Sequence, residues 1–258
     1  MTQHNSPHSE DSDLSAAEIR QIVGRNLATI HHRMQQAVEL GKHSVPDPQL
    51  IAVTKYAEPA WVNALIELGV RKLAESRPQQ LQQRRELWQS VEDLEWHLIG
   101  HLQRNKVRSL LQQPVTIHSV DSWKLLEKIS QISREIPFRP RVLIELNMTG
   151  ESQKTGMPLH EFAEGRPMQP FQESCQIIGL MTMGLDTEDP ELLRKPFREL
   201  RELRDRIASP DCPLTELSMG MSGDYEFSIQ EGATMIRIGS SLFEGLDEVR
   251  ASVPTGPQ

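Results

Sequence analysis

The chain has 258 residues, 37% of them hydrophobic and 25% charged, with a formal net charge of −8. That charge argues against broad nucleic-acid binding, and the length suits one large domain or two small ones. No apolar run approaches the roughly 18 residues that a membrane helix requires.

Cys175 and Cys212 are the only cysteines, and they stand in neither a CxxC nor a metal-ligand spacing. No metal site or disulfide framework is expected, and a reducing cytoplasm is the expected compartment. The opening stretch MTQHNSPHSEDSDLS is polar and acidic, without the basic start and apolar stretch of a signal peptide. Residues 1–14 are expected to be a disordered tail, 15–248 the folded domain and 249–258 a second loose tail. The pair Arg84–Arg85 reads as a solvated helix face.

In chain order, Ser15 is a plausible N-cap with Glu18 at the capping-box spacing. Ile19, Ile22, Val23, Leu27, Ile30 and Met34 recur at helical spacing, and Gly41, Pro46 and Pro48 end the run. An alternation follows. Strands are expected at 50–55, 71–75, 95–100, 115–120, 141–147, 177–181, 216–220 and 235–239. Helices are expected at 59–68, 78–88, 102–112, 122–135, 159–168, 191–208 and 222–230, with a short one from Ser241. Pro59 and Pro78 suit first-turn positions, where a missing N–H matters little. Eight strictly alternating pairs imply parallel strands with right-handed crossovers, hence a single (β/α)8 TIM barrel with an extra N-terminal helix packed outside it.

Barrels of this kind carry their chemistry at the C-terminal ends of the strands. Lys55 ends the first. It marks either the point where the strand meets water or a reactive amine, since burial or a nearby cation can free its lone pair for condensation with a carbonyl. At the seventh strand end, Gly220 and Gly223 permit close backbone approach beside Ser222, where a helix is expected to begin. At the eighth, Gly239, Ser240 and Ser241 again join a strand to a short helix. Both loops read as an anion site or as ordinary Gly/Ser caps. Arg237, between Ile236 and Ile238, points either to a bound anion or ring nitrogen in the interior or to a structural carboxylate such as Glu145 or Glu216. A phosphorylated aldehyde would engage Lys55 and both loops at once, and an arginine on its ring nitrogen would keep that nitrogen unprotonated. This combination is the chemistry of pyridoxal 5′-phosphate (PLP).

The segments AVTK (52–55), WHLIGHLQRNK (96–106), IHSVDS (117–122), VLIELNMTGESQKTGM (142–157), IIGLMTMG (177–184) and LSMGMSGDYEFSIQEGATMIRIGSSLFEG (217–245) resemble the pyridoxal phosphate homeostasis protein family. That family is related to the N-terminal barrel of alanine racemase. The resemblance spans about residues 15 to 246, and the combination is far more specific than any fragment. It implies an internal aldimine on Lys55, phosphate binding by Ser222, Gly223, Gly239 and Ser240, and Arg237 facing the pyridine nitrogen. His97 and Asn147 would lie close to the cofactor and Met219 would line the pocket, although His97 also reads as a structural histidine beside Trp96. One departure stands out: the family's usual G-E-N-Y is Ala-Glu-Ser-Arg at 74–77.

The resemblance implies a PLP-binding protein of intracellular vitamin B6 homeostasis, acting without catalytic turnover, with PLP-requiring apoenzymes as partners. A racemase needs a second acid/base, supplied in alanine racemase by a tyrosine of a C-terminal β-domain. This chain ends soon after the eighth strand and holds only Tyr56 and Tyr225. Tyr56 is expected on the opposite strand face from Lys55. No catalytic residue is assigned, a weak amino-acid racemase is the alternative, and a monomer is expected.

Overall fold

Ser15 caps the first helix, α1 (Ala16–Leu40), in the reciprocal manner its spacing predicts: its hydroxyl accepts from the Glu18 amide, and the Glu18 carboxylate accepts from the Ser15 amide. The computed structural model describes residues 14–151, 154–163 and 167–246, so the expected tails lie outside the described residues apart from Leu14. One face of α1 (Ile19, Val23, Leu27, Ile30, Met34 and Ala37) is buried. Asn26 on the same helix donates to the carbonyls of Leu242 and Glu244, tying α1 to the end of the barrel chain.

The strands are β1 (Gln49–Val53), β2 (Lys72–Glu75), β3 (Glu95–Leu98), β4 (Thr116–Val120), β5 (Arg141–Asn147), β6 (Met157–Pro158), β7 (Gln176–Met181), β8 (Glu216–Ser218) and β9 (Met235–Ile238). Their order is β4-β3-β2-β1-β9-β8-β7-β5, and β4 also pairs with β5, which closes an eight-stranded parallel barrel. The two-residue β6, absent from the expected pattern, adds to β5 outside that ring. The helices are α2 (Pro59–Glu67), α3 (Pro78–Leu87), α4 (Val107–Leu110), α5 (Trp123–Ser133), α6 (Leu159–Ala163), α7 (Pro190–Ile207) and α8 (Tyr225–Gln230). Pro59 and Pro78 occupy first-turn positions.

Period-two alternation divides the strands' side chains between two cores. Outward residues such as Leu73, Ile117, Ile144 and Leu217 join the helices in the larger one. Inward residues Ile51, Val53, Ala74 and Met235 form a small plug inside the barrel. Each fully buried aliphatic side chain contributes about 1.5–3 kcal/mol relative to exposure.

Several expectations need correction; besides smaller trims at the ends of β3, α6 and β8, four bear on the site. Helix 102–112 is shorter: a 3-10 turn at Arg104–Lys106 precedes the four-residue α4. Helix 222–230 begins only at Tyr225, so Ser222 lies in the loop before it. The first strand stops at Val53 rather than at Lys55. Arg84 and Arg85 are both buried, not a solvated face. A short sequence window cannot register that α3 turns this pair toward the barrel.

Candidate functional site

The turn carrying Lys55 is held from below. Thr54 continues the ladder, its amide donating to the Ala74 carbonyl at 2.9 Å, and its hydroxyl donates to Glu75 Oε1 at 2.6 Å. Nε of Arg84 pairs with the same oxygen at 2.9 Å, while Nη2 of Arg84 donates to the carbonyls of Thr54, at 3.1 Å, and Ala57, at 2.5 Å. Gln80 Nε2 donates to the Lys55 carbonyl at 2.7 Å. Burial pushes the Glu75 carboxyl above its ordinary value, against the opposing effects of Thr54, Arg84 and Lys55. The Lys55 side chain is half-buried at the rim, its Nζ 5.0 Å from the centre of the Tyr56 ring. Tyr56 is 81% exposed. The expected opposition of Lys55 and Tyr56 fails because both lie in a turn, where strand alternation no longer applies.

The two Gly/Ser loops meet beside this turn. A Cβ on Gly239 would touch Val53 at 3.4 Å, so the end of β9 backs directly on the end of β1. The Gly239 amide donates to Ser222 Oγ at 3.4 Å, joining the loop after β8 to the loop after β9. Gly220 has φ +92, and a Cβ there would stand 2.0 Å from Ser228 Oγ, so this position requires glycine. A Cβ on Gly223 would meet nothing within 4 Å. Gly223 and Ser240 are exposed and Ser222 is half-buried, an open cradle rather than a filled one.

Arg237 points into the barrel interior and is 3% exposed. Nη1 donates to Ser218 Oγ at 2.8 Å and Nη2 to the Thr182 carbonyl at 3.0 Å. Nε has no acceptor among the described residues. Burial lowers its pKa to about 10, opposed by Asp224 and Glu145, so the guanidinium stays charged at neutral pH. Neither Glu145 nor Glu216 forms an ion pair with it among the described residues; Glu145 accepts from Thr155 and Glu216 from Thr234, and the structural-carboxylate reading of Arg237 therefore loses its support.

Behind Arg237 runs a chain of hydrogen bonds absent from the sequence reading. Ser218 Oγ lies 2.7 Å from Nδ1 of His118, and His118 Nε2 lies 2.8 Å from Nδ1 of His97. Burial, with neighbouring positive charge, lowers the His97 pKa to about 3 and takes His118 well below its ordinary value, so both rings are neutral. Arginine can only donate. The arrangement that satisfies the Ser218 hydroxyl has it donate to His118 Nδ1, His118 Nε2–H donate to His97 Nδ1, and His97 carry its proton on Nε2. His97 Nε2 is buried and unpartnered.

His97 thus occupies a fully buried interior position behind Arg237. Asn147 shapes a loop: its Nδ2 donates to the carbonyls of Glu151 and Lys154, and its Oδ1 accepts from the amides of Thr149 and Gly150 and from the Thr149 hydroxyl. Met219 is fully buried and packs in the larger core. Ser76 and Arg77, the departure noted above, sit at the start of α3, with Arg77 exposed. A Cβ on Gly100 would lie 2.3 Å from the Ser76 carbonyl. Gln80, Arg84 and His118 were not among the expected site residues. The available signal was polar side chains at alternate positions of otherwise apolar strands, as at His118 and Ser218.

A barrel closed by parallel strands, with a lysine, two Gly/Ser turns and an interior arginine at one end, matches the family described as Alanine racemase, N-terminal domain, over residues 26–247. The chain is 36% identical over 218 residues to the pyridoxal phosphate homeostasis protein of Aquifex aeolicus, covering 84% of this chain and 95% of that one. It is 38% identical over 202 residues to the protein of the same name from Synechocystis, covering 77% and 91%. Among solved structures, PipY of Synechococcus elongatus with PLP bound superimposes with a TM-score of 0.73 at 32% identity, covering 86% of this chain and 99% of that one. The chain belongs to the alanine racemase N-terminal domain family and, within it, to the pyridoxal phosphate homeostasis proteins.

Proposed function

We propose that this chain binds PLP at Lys55 and takes part in keeping that cofactor available in the cell, without turning over a substrate. The observation that carries the reading is the double contact of Gly239, on Val53 at the end of β1 and on Ser222 of the neighbouring loop. It puts the two Gly/Ser turns against each other and against the end of the strand that leads into the Lys55 turn. The cofactor supplies an aldehyde that a lysine amine can hold covalently and a phosphate that backbone amides can hold by charge.

The residues present fit that group. Ser222, Gly223, Gly239 and Ser240 would hold the phosphate, and the free Nε–H of Arg237 would donate to the ring nitrogen. The neutral histidines behind Arg237 add no competing charge and orient its guanidinium through Ser218. The Glu75–Arg84 pair fixes the turn from which the Lys55 amine projects. The partners this role calls for are PLP-requiring apoenzymes, with the monomer as the working unit in the cytoplasm.

The test is borohydride reduction of the PLP-loaded protein followed by peptide mass mapping. A pyridoxyl group on Lys55, lost in Lys55→Ala, is expected. A label on another lysine, or none, overturns the assignment. The adjacency of Tyr56 to the Lys55 amine favours one second reading, a racemase. Sustained α-deuteration and racemisation of L-alanine in heavy water would replace the carrier role with that activity, and racemisation lost in Tyr56→Phe would assign its acid to this residue.

A further inference from the structure

At the opposite end of the barrel, where β3 and β4 begin, a cavity of about 470 Å³ opens between α3 and α4. That volume lies in the range of small-molecule sites. Arg85, only 8% exposed, forms part of its wall. Its single hydrogen bond among the described residues runs from Nη2 to the Pro114 carbonyl. Its Nε is buried without a partner, and it forms no ion pair among the described residues. Glu86, the one carboxylate on the rim, is exposed and does not pair with it.

A guanidinium has five N–H donors and a permanent charge. One carbonyl satisfies one donor and none of the charge. Arginines so deeply buried are ordinarily paired. Arg84, the preceding residue, is equally buried and has the Glu75 carboxylate at 2.9 Å. Among the described residues, then, Arg84 has an anion and two carbonyls, whereas Arg85 has one carbonyl and no anion.

The remaining walls indicate what the missing partner carries. Trp88 and Trp96 stack with ring centres 6.5 Å apart and an interplanar angle of 28°, and both line the cavity. Across it, Gln82 Nε2 donates to the Ser109 carbonyl at 2.6 Å, fixing α3 against α4. The cavity is therefore braced, with a planar cation beside indole surface.

We propose that this cavity is a second ligand site, separate from the Lys55 end, which takes a small organic carboxylate with a flat apolar body. The carboxylate engages the Arg85 guanidinium and the body lies along Trp88 and Trp96. Planar, paired N–H donors match carboxylate geometry, and aromatic walls favour a flat apolar partner. This site does not depend on the cofactor reading.

The test titrates benzoate, benzamide and inorganic phosphate into the full chain while following tryptophan emission. Benzoate should give a saturable change at least about tenfold tighter than benzamide or phosphate, the factor that one charge-assisted contact supplies. The change should persist in Lys55→Ala and be lost in Arg85→Gln. No saturation with benzoate, equal binding of benzamide, or an undiminished response in Arg85→Gln overturns the proposal. Equal or tighter binding of phosphate overturns the assigned ligand class. Because Arg85→Gln could disturb folding, the wild-type protein is also soaked as crystals with 4-bromobenzoate. Bromine density is expected between α3 and α4, and density only elsewhere, or none, overturns the assignment. Loss of PLP labelling at Lys55 would leave these outcomes unchanged, so the two readings fail separately.

Discussion

His118 Nε2 stands 2.8 Å from Nδ1 of His97 inside the barrel, and neither ring reaches solvent. Such a pair tolerates only neutral rings, because a proton added to either would put a second buried charge near Arg237.

The pH dependence of stability follows from this pair. The His97 pKa is about 3 when folded and about 6.5 when unfolded. Between these values the unfolded chain binds more protons, so stability falls as pH drops through that window, by up to about 1.4 kcal/mol per pH unit for each such histidine. His118 acts in the same direction. Glu75, Glu145 and Asp224, raised by burial, act in the opposite direction: the folded chain binds the extra proton, and acid favours it. Urea midpoints of wild type and His97→Gln between pH 7 and pH 4 separate the contributions. The variant should lose less stability on acidification, and parallel curves would contradict the neutral pair.

Ser218 links the histidines to Arg237. In Ser218→Ala, His118 Nδ1 and one guanidinium N–H lose their partner inside the barrel. Each unsatisfied buried group costs about 1–3 kcal/mol. The variant should melt measurably lower, and Ser218→Thr should recover part of the loss because it restores the hydroxyl. A Ser218→Ala protein as stable as wild type in calorimetry would remove the link from the account.

Arg84 and Glu75 hold the Lys55 turn. Arg84→Gln leaves the Glu75 carboxylate without its ion pair in a buried position, at a cost on the order of 3 kcal/mol. It also frees the carbonyls of Thr54 and Ala57. Chemical denaturation should register the stability loss, and borohydride trapping should give less pyridoxyl-Lys55 than wild type at equal PLP. Full labelling at the wild-type rate would reduce Arg84 to a purely structural role.

Gly220→Ala tests the loop after β8. The position has φ +92 and leaves 2.0 Å between the new methyl and Ser228 Oγ. Left-handed backbone at a non-glycine residue costs about 1–3 kcal/mol. The expected result is a lower thermal midpoint together with weaker PLP retention on dialysis, because Ser222 moves with this loop. Unchanged values of both would show that the loop is not positioned by this glycine.

Sequence periodicity determined most of this architecture. The strand 141–147 was legible to the residue, because its buried middle is apolar apart from Glu145 and is bounded by the polar Arg141 and Asn147. Lys55, Ser222, Arg237 and Gly239 were legible as candidates because strand ends in a barrel are few and their residue types are chemically distinctive. What lies between strands distant in sequence was not legible. The Arg237–Ser218–His118–His97 chain draws on four strands, β9, β8, β4 and β3, and its bonds depend on inward faces meeting across the closed barrel. The burial of Arg84 and Arg85 was likewise decided only when α3 docked. Among the described residues one of them then found a carboxylate and the other did not, a difference that two adjacent arginines in a sequence cannot express, because burial and pairing belong to the packed surface and not to the residue type.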